Sequence, residues 1–170
     1  MKKGSIIYLN GVTSTGKSSI AEALRQYVDF YYLSDDIFED NIIDTPEYGT
    51  KGYWKTLAEA VFLMYYAATL FSDHGKTVVI DSMLLESEFF APHYPRMLEV
   101  FREHPLFVVD VYCPLEVCRQ RNLSRADRYE NQSQEQAIVM AQDVRYDLHL
   151  DTNVLSPDQC AREIILALGL

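Results

Sequence analysis

The stretch Gly11-Val12-Thr13-Ser14-Thr15-Gly16-Lys17-Ser18 has the form G-x-x-x-x-G-K-[ST], and nothing else in the chain restricts the fold as tightly. An apolar run, Ser5-Ile6-Ile7-Tyr8-Leu9, leads into it, and Ser19-Ile20-Ala21-Glu22-Ala23-Leu24 follows with a helical pattern. Strand, loop and helix thus come in the order that a phosphate-binding loop requires. Glycines let the backbone curl until its N–H groups converge on a β-phosphate. Lys17 adds a mobile cation toward the β- and γ-phosphates, and Ser18 offers a hydroxyl to Mg²⁺. A plain glycine turn with a solvated lysine is the alternative, and the flanking strand and helix argue against it. The expectation is a nucleoside triphosphate site formed by Gly11 to Ser18 together with Ser19.

Size and charge narrow the setting. A chain of 170 residues, 48% hydrophobic, suits one domain that buries about 70% of its unfolded surface. The net charge of −10 argues against a nucleic-acid partner, whose phosphates this surface would repel. A local cationic site still admits ATP. No apolar run approaches the roughly 18 residues that a membrane span needs. The Met1-Lys2-Lys3 start runs straight into the loop strand, so cleavage of a leader there would destroy the motif. Cys113, Cys118 and Cys160 are odd in number and lack metal-ligand spacing, which suits reduced, mostly buried thiols in the cytoplasm.

Apolar, β-branched runs alternate with helical patterns along residues 1–170, and no repeat or linker divides them; the pattern predicts α/β with a mainly parallel sheet. Strands are expected at Ile6–Leu9, Tyr31–Leu33, Thr77–Ile80, Phe107–Val111 and Leu148–Leu150. Helices are expected at Lys17–Tyr27, Tyr53–Phe71, within Pro95–Glu103, and at Leu115–Leu123, Gln134–Val144 and Pro157–Leu168. Pro114 and Pro157 stand at helix starts, and Ser156 is placed to cap the last one. Thr45 to Lys55 is irregular and reads equally as a pocket wall or a surface connection. The aromatic series Tyr53, Trp54, Phe62, Tyr65, Tyr66 and Phe71 reads as core, with one or two members open to contact with an apolar substrate. His74, His93, His104 and His149 are scattered, each a packing or surface residue rather than a catalyst.

In parallel sheets ligands collect beyond the carboxyl ends of the strands, and Asp35, Asp81 and the loop at 11–18 all fall just past those ends. Asp81 closes the strand Thr77-Val78-Val79-Ile80, the form of a Walker B segment whose carboxylate helps hold Mg²⁺. Ser34-Asp35-Asp36 follows the second strand, where one carboxylate can act as general base while the other caps a helix beginning near Ile37. Arg119, Arg121, Arg125 and Arg128 crowd into ten residues of an acidic chain. Arg121, Arg125 and Arg128 are spaced i, i+4, i+7, so a helix would stack them on one face. Such a stripe suits a lid over about residues 119–132 that closes on phosphates. The other reading is a solvated face offset by Glu116, Asp127 and Glu130.

The ordered series Leu9-Asn10-Gly11 into Thr15-Gly16-Lys17-Ser18, Asp35-Asp36-Ile37-Phe38, Val78-Val79-Ile80-Asp81, Tyr112-Cys113-Pro114-Leu115-Glu116, Arg121, Arg125-Ala126-Asp127-Arg128, Tyr146-Asp147-Leu148 and Asp151-Thr152 resembles the chloramphenicol phosphotransferase-like family of P-loop kinases. The resemblance implies a three-layer P-loop NTPase of nucleotide-kinase type: a five-stranded parallel sheet flanked by helices, with a short arginine-rich lid. It also implies ATP with Mg²⁺ and phosphoryl transfer to a small-molecule hydroxyl. By position in the motif, Asp35 is the expected base. Lys17 and Arg125 assist catalysis, Arg121 and Arg128 join the nucleotide contacts, and Ser18 with Asp81 serves the metal. Departures fall at Ser82, where the family usually has a second acid, at Ala141, and in the shortened stretch between Asp36 and Tyr53. In the family that last stretch helps shape the acceptor pocket, so chloramphenicol and other metabolite hydroxyls (nucleoside, shikimate-type, sugar-nucleotide) remain rival acceptors. A nucleotide-dependent switch without turnover is the alternative from another class.

Overall fold

The computed structural model describes residues 2–42, 44–126 and 128–169. Five strands, β1 (Ile6–Asn10), β2 (Tyr31–Ser34), β3 (Val78–Ser82), β4 (Leu106–Tyr112) and β5 (Leu148–Asp151), form one parallel sheet in the order β2-β3-β1-β4-β5. Seven helices accompany it among the described residues: α1 (Lys17–Leu24), α2 (Asp35–Asp40), α3 (Lys51–Asp73), α4 (His93–Phe101), α5 (Leu115–Leu123), α6 (Gln132–Val139) and α7 (Pro157–Leu168).

The sheet is covered on both faces, which is why its inner strands read as unbroken apolar runs rather than alternating ones. Ile6 and Tyr8 pack with Val78, Ile80 and Val108 against α3 and α4. Ile7 and Leu9 pack with Val79 and Val109 against α1 and α7. All four β1 residues are 0% exposed. β1 lies between β3 and β4, with Asn10 in register with Ser82 on one side and Asp110 on the other. The connections diverge to opposite sides of β1, and this switch point opens a crevice at the carboxyl edge. The phosphate loop, Asp35 and Asp81 all stand on that edge.

Several boundaries differ from the sequence reading for local reasons. Thr50 accepts a hydrogen bond from the Tyr53 amide and starts α3 two residues earlier than expected. α6 stops at Val139 rather than Val144 because Met140 turns extended and bridges Leu85. The Ala141 amide then donates to the Leu84 carbonyl at 2.9 Å. Residues 45–50 are irregular, with a turn at 48–49 and Tyr48 65% exposed, so that part of the stretch runs over the surface. Tyr66, expected in the core, is 56% exposed on the outer side of α3. At α7 the cap is as expected: Ser156 and Gln159 form a reciprocal capping box with Pro157 at the helix start.

Candidate active site

The phosphate loop owes its shape to two left-handed residues and one close approach. Ser14 has φ 61° and Gly16 φ 104°, and together they turn the following amides toward one side. A Cβ on Gly11 would lie 2.5 Å from the Val111 carbonyl oxygen, so only glycine lets β1 leave the sheet so near β4. α1 begins with no side-chain cap, which leaves the amides of Gly16 to Ser19 without intrahelical partners and available to an anion. The Val12 and Thr15 side chains are buried, and Thr15 donates to the Val12 carbonyl. These two residues therefore reach the cleft only through their backbone.

Asp81, next to last in β3, meets the loop. Its Oδ2 accepts from the Ser18 hydroxyl at 2.7 Å and from the Tyr32 hydroxyl at 2.7 Å. Lys17 Nζ stands 3.7 Å from Asp81 Oδ1 and donates to the Gly11 and Val12 carbonyls at 2.7 and 3.1 Å. Burial against the Asp81 carboxylate pushes the Tyr32 hydroxyl well above the usual tyrosine range.

The choice between the two aspartates after β2 follows from the cap. Ser34 takes the capping role, accepting from the Ile37 amide, and both carboxylates are released from it. Asp36 points outward and pairs with Arg128 at 3.7 Å. Asp35 points inward, where Oδ2 accepts from the Ser82 hydroxyl at 2.8 Å and Oδ1 is buried without a hydrogen-bond partner. Burial raises this carboxyl to about 7, opposed by the Ser82 hydrogen bond and Lys17 and reinforced by the Asp81 charge.

The arginines meet the same cleft, but not as a helical stripe. α5 stops at Leu123, where the Ser124 hydroxyl and amide both turn back to the Arg121 carbonyl. Arg125 and Arg128 lie in the irregular segment beyond it. Arg121 donates to the Ser14 carbonyl and to both Thr152 oxygens, at 2.9–3.1 Å. It clamps the loop to the end of β5, a role the spacing did not suggest. Arg119 turns away to Glu116 and Glu130. Asp127, expected to offset the arginines, lies outside the described residues, as do Met1 and Leu170. The loop, Asp35, Asp36, Asp81, Ser82, Arg121, Arg125 and Arg128 together line one cleft of about 390 Å³.

Polar side chains of α5 and α6 that carry no motif fasten those helices to the loop. Gln136 accepts from the Thr13 amide at 2.6 Å, Asn122 accepts from the Ser14 hydroxyl at 2.6 Å, and Ser133 donates to the Thr13 carbonyl. The Thr13 amide is thereby occupied by protein. Asn10 bonds the Leu84 amide and the Tyr146 hydroxyl, joining β1 to the two segments beside it. The signal for Asn10 was an amide at the end of an apolar run; the others had none.

The model of the family described as chloramphenicol phosphotransferase-like protein matches residues 4–168. A Mycobacterium tuberculosis protein named Putative O-phosphotransferase Rv2636 is 27% identical, aligned over 96% of this chain and 82% of its own length. Among solved structures, the APS kinase CysC of Mycobacterium tuberculosis, in complex with AMPPNP and APS, superposes with a TM-score of 0.74 at 20% identity, covering all of both chains. The tunicamycin resistance protein of Deinococcus radiodurans gives 0.69 at 17% identity, over 99% of this chain and 97% of that one. At those identities the two superpositions establish a common fold: a three-layer P-loop architecture of the kinase type.

Proposed function

The chain belongs to the chloramphenicol phosphotransferase-like family, and from that premise we propose that it transfers the γ-phosphate of ATP to a hydroxyl of a small molecule. One observation carries the reading. A buried carboxylate with an unpartnered oxygen, Asp35, shares a cleft with an uncapped helix start, Lys17 and a cluster of arginines. The related fold of CysC, which holds AMPPNP, supports adenine nucleotide as the donor. A nucleotide switch would have no use for such a base.

In this mechanism the amides of Gly16 to Ser19 and the Lys17 ammonium grip the triphosphate. The Asp35 carboxylate accepts the proton of the acceptor hydroxyl as that hydroxyl's oxygen bonds to the γ-phosphorus and the bond to the β-phosphate oxygen breaks, releasing ADP. Arg125 and Arg128 offset charge on the transferring group. Most of the acceleration comes from positioning and fixed charge rather than covalent chemistry. Ser18 Oγ and Asp81 Oδ2 present the paired oxygen donors that Mg²⁺ takes beside nucleotide phosphates. When bound, that ion neutralises charge on the phosphates.

Residues 1–170 act in this reading as one kinase domain whose lid spans about 119–132. It works on small molecules in the cytoplasm, where its three buried free thiols stay reduced. Chloramphenicol and metabolite alcohols are the arms of the test: a thermal-shift screen with ATP–Mg²⁺, followed by ADP release with each hit. Acceptor-dependent ADP release that Asp35→Asn lowers by about 10² to 10⁴ supports the assignment. Release that Asp35→Asn leaves intact overturns the base, and a protein that phosphorylates no hydroxyl overturns the function.

A further inference from the structure

Ser14 is the one residue of the phosphate loop that is left-handed without being glycine, with φ 61°. A side chain makes that conformation costly, and it persists only where the surroundings over-determine it. Four hydrogen bonds do so, and all come from α5 and α6. The Ser14 hydroxyl donates to Asn122 Oδ1 at 2.6 Å, and the Ser14 carbonyl accepts from Arg121 at 3.1 Å. One residue earlier, the Thr13 amide donates to Gln136 at 2.6 Å and the Thr13 carbonyl accepts from Ser133 at 3.1 Å.

Asn122 joins these contacts into one network. It is 0% exposed, so it reaches no ligand itself. Its Nδ2 donates to the Glu130 carbonyl at 3.2 Å and to the Ser133 hydroxyl at 2.9 Å. A carbonyl only accepts, so Nδ2 must face Glu130 and Oδ1 must face Ser14. Ser133, also 0% exposed, passes the connection on to Thr13. A buried network with its members satisfied is rigid. From this we infer that Asn122 is a positioning residue for nucleotide binding. It holds Ser14 left-handed, and so keeps the loop amides converged on the phosphate position before a nucleotide arrives. The inference rests on the loop being the nucleotide site. A loop shaped in advance loses little freedom when the ligand binds, and affinity rises accordingly.

The test is a double-mutant cycle on binding rather than turnover. Calorimetry gives the Kd of AMPPNP with Mg²⁺ for the parent, Asn122→Ala, Ser14→Gly and the double variant, with Tm for each. Glycine takes the left-handed conformation at almost no cost, so it needs no tether. Asn122→Ala is expected to raise Kd about 5- to 30-fold beside Ser14, the factor that matches the penalty of one left-handed residue. In the Ser14→Gly background the same change should raise Kd by less than about twofold. A fall in Tm from the stranded Glu130 and Ser133 groups is expected in both backgrounds, so Kd alone reads the tether. An equal rise in Kd in both backgrounds overturns the inference, as does a parental Kd in Asn122→Ala. If Asn122→Ala fails to fold, Ser14→Ala decides, since it removes the hydroxyl and keeps the left-handed penalty. It should bind AMPPNP about 5- to 30-fold more weakly than the parent, and Ser14→Gly should recover most of that loss; a parental Kd in Ser14→Ala overturns the inference. A parent that binds no AMPPNP overturns the nucleotide site and this inference together.

Discussion

The Ser18 hydroxyl donates to Asp81 Oδ2 at 2.7 Å, so the last residue of the phosphate loop meets the last acid of β3 across the crevice. The same oxygen takes the Tyr32 hydroxyl. Asp81→Asn keeps the shape of this junction and removes its charge. The Mg²⁺ concentration for half-maximal turnover is expected to rise at least about tenfold, in line with the loss of one ligand or its hydrogen-bonded support. Titrating turnover against Mg²⁺ at fixed ATP checks it.

Lys17 reaches the Gly11 and Val12 carbonyls and Asp81 without leaving the mouth of the loop. Lys17→Ala removes the single cation inside the loop. The parent should gain about 2.7 kcal/mol at an ATP concentration one hundred times its Kd. The variant should show almost none of the corresponding rise in Tm.

Gly11 and Gly16 fail for different reasons when given a side chain. At Gly11 a Cβ meets the Val111 carbonyl at 2.5 Å and the Thr15 hydroxyl at 2.8 Å, so Gly11→Ala must push β1 and β4 apart. At Gly16 the nearest atom is 3.6 Å away but φ is +104°, and the penalty is backbone strain of about 1–2 kcal/mol. Denaturant unfolding should find Gly11→Ala the less stable of the two.

The Asp35 carboxyl, raised to about 7 by burial, gives a signed pH prediction. Deprotonated Asp35 is the active form, so kcat/KM for the acceptor should rise with pH through about 7 and level above it. Stability runs the other way. A carboxyl whose folded pKa lies above its unfolded value binds more protons when folded, so its contribution is present below about pH 4 and is lost as pH rises through about 7. Asp35→Asn should therefore raise Tm over the parent at pH 8 and little at pH 4.

His93 shows the opposite linkage, because burial lowers its pKa from 6.5 to about 4. The unfolded chain binds the proton more readily, so stability from the neutral ring is full above pH 6.5 and is lost as pH falls through about 4. The denaturant midpoint of the parent should fall between pH 7 and pH 4.5. In His93→Gln, whose amide can accept from Leu85 and donate to Tyr65 without titrating, that fall should shrink.

What the sequence determined about this protein is what nearby residues can fix among themselves. Gly11 to Ser18 between an apolar run and a helical one sets a phosphate loop, because its chemistry lies in consecutive amides and two glycine conformations. Five β-branched runs broken by helices set the parallel sheet, and Val78 to Asp81 set the acid at its edge. Tertiary structure alone decided how the surrounding side chains are used. Arg121 joined the loop clamp because Ser14 and Thr152 come to it from opposite ends of the chain. Ser34 took the cap and turned Asp35 inward, to a serine 47 residues away. His93 became part of a buried run of hydrogen bonds because α4 sets it against Tyr65 and Leu85. A buried polar atom is satisfied by whatever group the fold brings within about 3 Å of it, and no periodicity or spacing in the chain encodes that meeting.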